Sequence, residues 1–252
     1  MITGQMFDGF HLLYIVISLL VTVVILFYAT KYIKKQSSKD RFLISMGLLC
    51  FFSHISSLWV EYLTNDGVAQ VNDYILFPIY FCNLLMITLL VLSLLPNKQS
   101  KFYQILSIFT FYGGLFGPTI SLIYPTYYLS SGGNLDYYVM KSLISHSFLL
   151  IGTMWLYLGG YFKPRLSNLI WYFIGLVVTG ILGFITNVIY EVFLNRQINA
   201  MWMQAPAIDG TPFDGWLLGF ITLFIVGIIS VIFEIRLPIE DRIFETKKLV
   251  LL

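Results

Sequence analysis

The chain reads as an all-α membrane protein, a polytopic bundle of about seven transmembrane helices, and three observations support that reading. Of its 252 residues, 58% are hydrophobic and 17% aromatic while only 11% are charged, with a mean hydropathy of +0.82. A soluble domain is about a quarter charged, so this much apolar surface does not fit a water-soluble fold. The uncharged stretches approach the ~20 residues a helix needs to cross hydrocarbon, and basic residues alternate in number from one loop to the next.

The spans fall at about 10–30, 42–60, 74–95, 102–124, 138–162, 168–190 and 215–235, with ends good to about 2–4 residues. They are near-continuous apolar runs, not short alternating strands, and a helix satisfies its own backbone in lipid. No internal period suggests a repeat array. One transmembrane domain over residues 1–252 is expected.

Orientation follows from the loops. Lys31, Lys34, Lys35, Lys39 and Arg41 lie between the first two spans. Lys98 with Lys101, Lys163 with Arg165, and a tail holding Arg236, Arg242, Lys247 and Lys248 fall on the same side. The opposite loops hold Lys141 and Arg196. The N-terminus is therefore expected outside and the C-terminus in the cytoplasm of a multi-pass cell-membrane protein. The start, MITGQMFDGFHLL, lacks the positive region of a secretory signal, so the first span is expected to be retained.

The net charge of +2 is spent on topology, and no basic stripe with interleaved aromatics predicts nucleic acid as a partner. Membrane lipids, phospholipid among them, are the expected partners. No CxxC or His-rich spacing points to a metal, and no cofactor is expected. The two cysteines, Cys50 and Cys82, fall at different depths in different spans, so a disulfide is not implied.

Polar side chains inside the spans mark where chemistry can occur, because burying them in hydrocarbon is costly unless they face the bundle interior. His54, Cys82 and His146 lie six to eight residues from the outer ends of their spans, roughly 9–12 Å deep. Ser142, His146 and Thr153 share one helical face, and His54, Ser57 and Glu61 share another. Asn187 and Glu191 bring polarity to the outer end of the sixth span, while Gly113, Gly114, Gly117 and Pro118 permit close packing or a bend in the fourth. In the stretch FPIYFCNLLMI, Pro78 predicts a helix that starts or kinks there, placing Cys82 little more than one turn inside it. A thiol beside an imidazole is the minimum for covalent acyl transfer, with Asn or backbone donors steadying the oxyanion. Against this stand plain structural roles: a membrane Cys as a small core residue, and His or Asn as interhelical hydrogen-bonders.

Several segments in order resemble the YwaF-type integral membrane protein family, whose eukaryotic relatives are regarded as thiol-dependent phospholipid acyltransferases. They are Phe77-Pro78-Ile79-Tyr80-Phe81-Cys82-Asn83, similar to the family's Leu-Pro-Leu-His-Leu-Cys run, then Tyr124-Pro125, Ile144-Ser145-His146 and Thr186-Asn187. The resemblance covers about residues 40–235. It implies Cys82 as the acyl-accepting nucleophile and His146 as its base. Tyr80 stands where the family run has His, and at its ordinary pKa near 10 it can donate a hydrogen bond but serves poorly as a base.

The leading expectation is a lipid acyltransferase or acyl hydrolase working through an acyl-cysteine in an outer-leaflet cavity. His54, Tyr80, Asn83, Asn187 and Glu191 are the expected substrate-binding or orienting groups. The alternative is a non-enzymatic transporter or lipid-binding protein using the same polar cavity, and a third is a structural subunit docking through the Gly-rich fourth span.

Overall fold

The computed structural model describes residues 5–64, 79–125, 128–129, 136–207 and 210–243, the side chains of Glu61, Thr64 and Glu240 excepted. Among these residues there are eight α-helices, three short 3-10 turns and no strand. In chain order the helices are α1 (Gly9–Tyr32), α2 (Gln36–Ile55), α3 (Ser57–Thr64), α4 (Phe81–Leu94), α5 (Lys101–Ile123), α6 (Tyr137–Leu158), α7 (Leu169–Leu194) and α8 (Gly215–Ile235). Six helical stretches among the described residues are long and apolar enough to cross a membrane, one of them running from α2 through α3 to Val60; α4 is apolar but shorter. A multi-pass helical membrane protein is thus the fold, as composition predicts. The chain divides into two compact units, residues 1–161 and 162–252.

Local chemistry sets the helix starts. Asp8, Ser100, Asp136 and Asp214 each occupy an N-cap and accept the backbone N–H three residues on, at 2.8 to 3.1 Å. Each cap satisfies one of the amides that a helix start leaves without an internal acceptor. At the other end of α4, the Lys98 ammonium donates to the carbonyls of Leu92 and Ser93, at 2.7 and 2.9 Å, where a cation also complements the helix dipole.

In the first unit α2 packs antiparallel along the whole of α6, and successive contacts give the register. Lys39 Nζ donates to Gly159 O at 3.1 Å, and the Phe42 ring meets Trp155 at 4.7 Å between centroids. Cys50 Sγ donates to Ser145 O at 3.4 Å, and Ser56 Oγ pairs with Tyr137 Oη. Ser56 also donates back to Ser53 O at 2.7 Å, where α2 gives way to α3.

Helix α5 has Pro118 inside it. A proline removes the N–H that would reach the carbonyl four residues back, here Gly114 O. Thr153 Oγ1 on α6 donates to that carbonyl at 3.2 Å, sharing its hydrogen with Leu149 O and Leu150 O on its own helix. Gly114 is what lets it in, because a Cβ there would stand 2.8 Å from Thr153 Cβ. The close-packing role expected for these glycines is therefore met in a specific way: one residue frees a carbonyl and another admits its new donor.

The third span differs from expectation at its start. Pro78 and Phe77, like the entry at 72–77, lie outside the described residues, and the regular helix begins at Phe81 with Tyr80 as an extended N-cap. At 14 residues α4 rises only about 21 Å, less than the roughly 30 Å of a bilayer core.

The second unit pairs α7 with α8. Fully buried Glu234 on α8 accepts from Leu166 N and Ile243 N, at 3.1 and 2.9 Å, and faces Arg165 Nε at 3.6 Å. Arg165 donates in turn to Asp241 O at 2.7 Å. Sequence reading counted Arg165 for topology alone; here it also neutralises a buried carboxylate. The tail lysines 247 and 248 fall outside the described residues.

Candidate active site around Cys82

Cys82 is the second residue of α4, closer to the helix start than the sequence placed it. Asn83 N and Leu84 N both bond to Tyr80 O, at 3.0 and 3.3 Å, so the amides of Phe81 and Cys82 precede the first intrahelical acceptor. The thiol thus lies in the first turn of the helix, where backbone amides have no internal acceptor. The side chain is 7% exposed.

Helix α5 holds the thiol. Sγ lies 3.3 Å from Ser121 Oγ, a short contact for sulfur. One turn earlier on the same face, a Cβ on Gly117 would stand 3.2 Å from Sγ and 3.0 Å from Leu85 Cδ1. The missing side chain at Gly117 therefore leaves the space that Sγ borders, and Ser121 supplies the polar contact.

His146 lies on α6. Its Nδ1 is 2.7 Å from Ser142 O. A carbonyl has no proton to give, so Nδ1 carries one and donates it. The neutral ring then presents a bare Nε2, the tautomer needed in a base. Ser142 Oγ lies 3.3 Å from the same Nδ1 and cannot also donate to it.

The register between α5 and α6 aligns His146 with Ser121. The rings of Phe111 and Tyr157 meet at 6.1 Å, and Thr153 reaches Gly114. Two turns further along each antiparallel helix, on those same stripes, stand Ser121 and His146. Leu122, packed in one cluster with Leu143 and Leu150 of α6, puts the end of α5 at the same level.

The other expected site residues take varied places. His54 is buried on α2, close enough to His146 and Lys141 for their charges to interact. Asn83 is buried in the first turn of α4, and Tyr80 is exposed at its cap. Ser57 Oγ accepts from Lys141 Nζ at 3.4 Å, while the Glu61 side chain falls outside the described residues. Asn187 and Glu191 belong to the second unit; Asn187 Oδ1 accepts Ala200 N–H at 2.8 Å and Glu191 is exposed. Both cysteines are free thiols. No group of three or more His, Cys, Asp or Glu side chains suited to a metal occurs among the described residues.

Three residues escaped the sequence reading: Ser121, Gly117 as part of the thiol's surroundings, and Lys141, taken as a loop charge but buried on α6. Lys141 borders an open groove of about 370 Å³ between α2, α3 and α6, with Phe52, Trp59, Met140 and Ile144 as its apolar lining. A signal for Ser121 was present in the sequence, since Gly114, Gly117 and Ser121 form one stripe on α5.

No curated protein and no solved structure matches the chain. The family model described as the TMEM164 family matches residues 6–235, nearly all of it. That match establishes a family of membrane proteins and leaves any chemistry to be argued from the residues. The chain belongs to the TMEM164 family.

Proposed function

We propose that this protein is a thiol-dependent lipid acyltransferase that carries the acyl group on Cys82. The observation that supports it most is a free thiol in the first turn of a short membrane helix, bonded to a hydroxyl, at the level of a histidine whose Nε2 is bare. The thiol gives up its proton and the thiolate attacks the ester carbonyl of a phospholipid. The ester C–O bond breaks, the leaving lysolipid oxygen takes the proton, and a thioester remains. A second lysolipid hydroxyl attacks the thioester and restores the thiol; water in its place makes the protein an acyl hydrolase. The Phe81 and Cys82 amides, with Asn83, are the oxyanion donors.

His54 and Lys141 set the charge around His146, and Tyr80 meets the lipid at the mouth of the site. In this reading the protein lies in the cell membrane with its N-terminus outside, and Cys82 faces ester carbonyls of the outer leaflet. Intact-protein mass spectrometry after incubation with phospholipid micelles tests the reading. A hydroxylamine-labile acyl adduct is expected, absent in Cys82→Ala and slowed about 10²- to 10⁴-fold in His146→Ala, the usual contribution of a general base. No adduct on the folded wild type turns the reading to a lipid-binding or transport protein.

A further inference from the structure

We propose that Ser121 is the proton carrier between Cys82 and His146, so that the thiol is activated through a hydroxyl and not by direct contact with the imidazole. This rests on the acyl-transfer reading for its purpose, but on geometry for its support. Ser121 Oγ is 3.3 Å from Cys82 Sγ, and Ser121 stands level with His146 by the α5/α6 register. The acceptor at the far end is defined as well, since Nδ1 donates to Ser142 O and leaves Nε2 to receive.

The step balances. The Sγ–H proton passes to Ser121 Oγ as the Ser121 hydroxyl proton passes to His146 Nε2, leaving a thiolate, an intact serine and an imidazolium. When the lysolipid oxygen departs, the same path runs backward: the imidazolium proton moves to Ser121 and the Ser121 proton to the leaving oxygen.

Two features of α5 keep this arrangement in place. Gly117, one turn before Ser121, lets the thiol lie against the helix, as any Cβ there would crowd Sγ. Gly114, two turns before, admits Thr153 and so fixes the height of His146 against Ser121. The stripe Gly114, Gly117, Ser121 thus sets the partner, the space and the hydroxyl of a single proton path.

The test follows alkylation of Cys82 by N-ethylmaleimide across about pH 6–9, read on the Cys82 peptide by mass spectrometry, because that rate follows the thiolate fraction. Wild type, Ser121→Ala, His146→Ala, the double variant and Ser121→Thr are compared at equal unfolding temperature. Ser121→Ala and His146→Ala are each expected to move the midpoint upward by about one unit, roughly tenfold slower labelling at neutral pH. The double variant should move no further, as members of one chain do not add, and Ser121→Thr should return the wild-type profile.

A Ser121→Ala profile that overlays the wild type, or shifts that sum in the double variant, overturns the proposal. If Ser121→Ala unfolds, Ser121→Thr and Ser121→Val make the same comparison, being matched in shape and differing in the hydroxyl. Labelling needs no lipid, so the two readings fail separately. These shifts without any acyl adduct sink acyl transfer alone, and an adduct with an unmoved Ser121→Ala profile sinks the relay alone.

Discussion

Replacing Gly114 with alanine tests the contact that sets α5 against α6. The added Cβ would overlap Thr153 Cγ2 and stand 2.8 Å from Thr153 Cβ and 3.0 Å from its Oγ1. Thr153 is fully buried, so it has little room to retreat. Overpacking of this kind costs about 1–3 kcal/mol. Losing the Thr153 bond to Gly114 O adds about 0.6 kcal/mol, the mean for such bonds between membrane helices. Alanine's better helix propensity offsets about 1 kcal/mol. The balance is a destabilisation of about 2 kcal/mol, or roughly 4–8 °C in unfolding temperature for a chain of this size. Intrinsic fluorescence in detergent measures it, with Trp155 buried half a turn from Thr153 as a local reporter. Gly219→Ala is the control, since a Cβ there meets nothing within 4 Å and only the propensity gain remains. If Gly114→Ala matches Gly219→Ala, the close approach of Thr153 does not hold the helices and the register argument loses its anchor.

Gly117→Ala is expected to slow acyl-adduct formation on Cys82 about tenfold with a smaller loss of stability than Gly114→Ala, because its Cβ meets Sγ at a tight but not overlapping 3.2 Å; an unchanged adduct rate would show that α5 does not hold the thiol. Glu234→Ala removes the acceptor of two backbone amides and leaves Arg165 without its carboxylate. A loss of about 2–3 kcal/mol is expected, seen as faster hydrogen exchange at Leu166 and Ile243, and unchanged exchange there would refute it. At the start of α1 the Asp8 carboxyl is held below the ordinary carboxylate range, chiefly by the His11 amide and also by the amide of Gln5 and the hydroxyl of Tyr128. A lowered folded pKa gives stability that is complete above the unfolded value, about 3.9, and lost as pH falls through the folded one. Exchange at the His11 amide should therefore speed up only below about pH 4, and a rise near neutrality would contradict that sign.

The helices were legible because their signals repeat. Long apolar runs gave the predicted spans, and the observed α1, α5, α6 and α8 end within a few residues of them. The four Asp or Ser residues at the N-caps are a local signal, each needing only its own helix, that the reading of apolar runs did not use. The site was half legible. Cys82 and His146 stand out as polar residues in apolar runs, whereas the Ser121 link is a pairing between helices that no single run encodes. The start of α4 was missed because Pro78 is a local cue, while the helix takes up its regular bonding only at Phe81. Lys141 was misjudged for a different reason: loop counting treats every lysine near a span end as exposed, and this one is turned inward beside Ser57.

The shortness of α4 bears on how the chain is made. A segment of 14 helical residues is a poor candidate for leaving the translocation channel alone, in contrast with the long, lipid-facing α1. Its buried faces touch Gly47 of α2, Thr110 and Gly117 of α5, and Gly152 of α6, the last of which is synthesised well after it. Helix α4 therefore settles only once α6 has entered the bilayer. Until then the packing around α4, and with it the setting of Cys82, is incomplete.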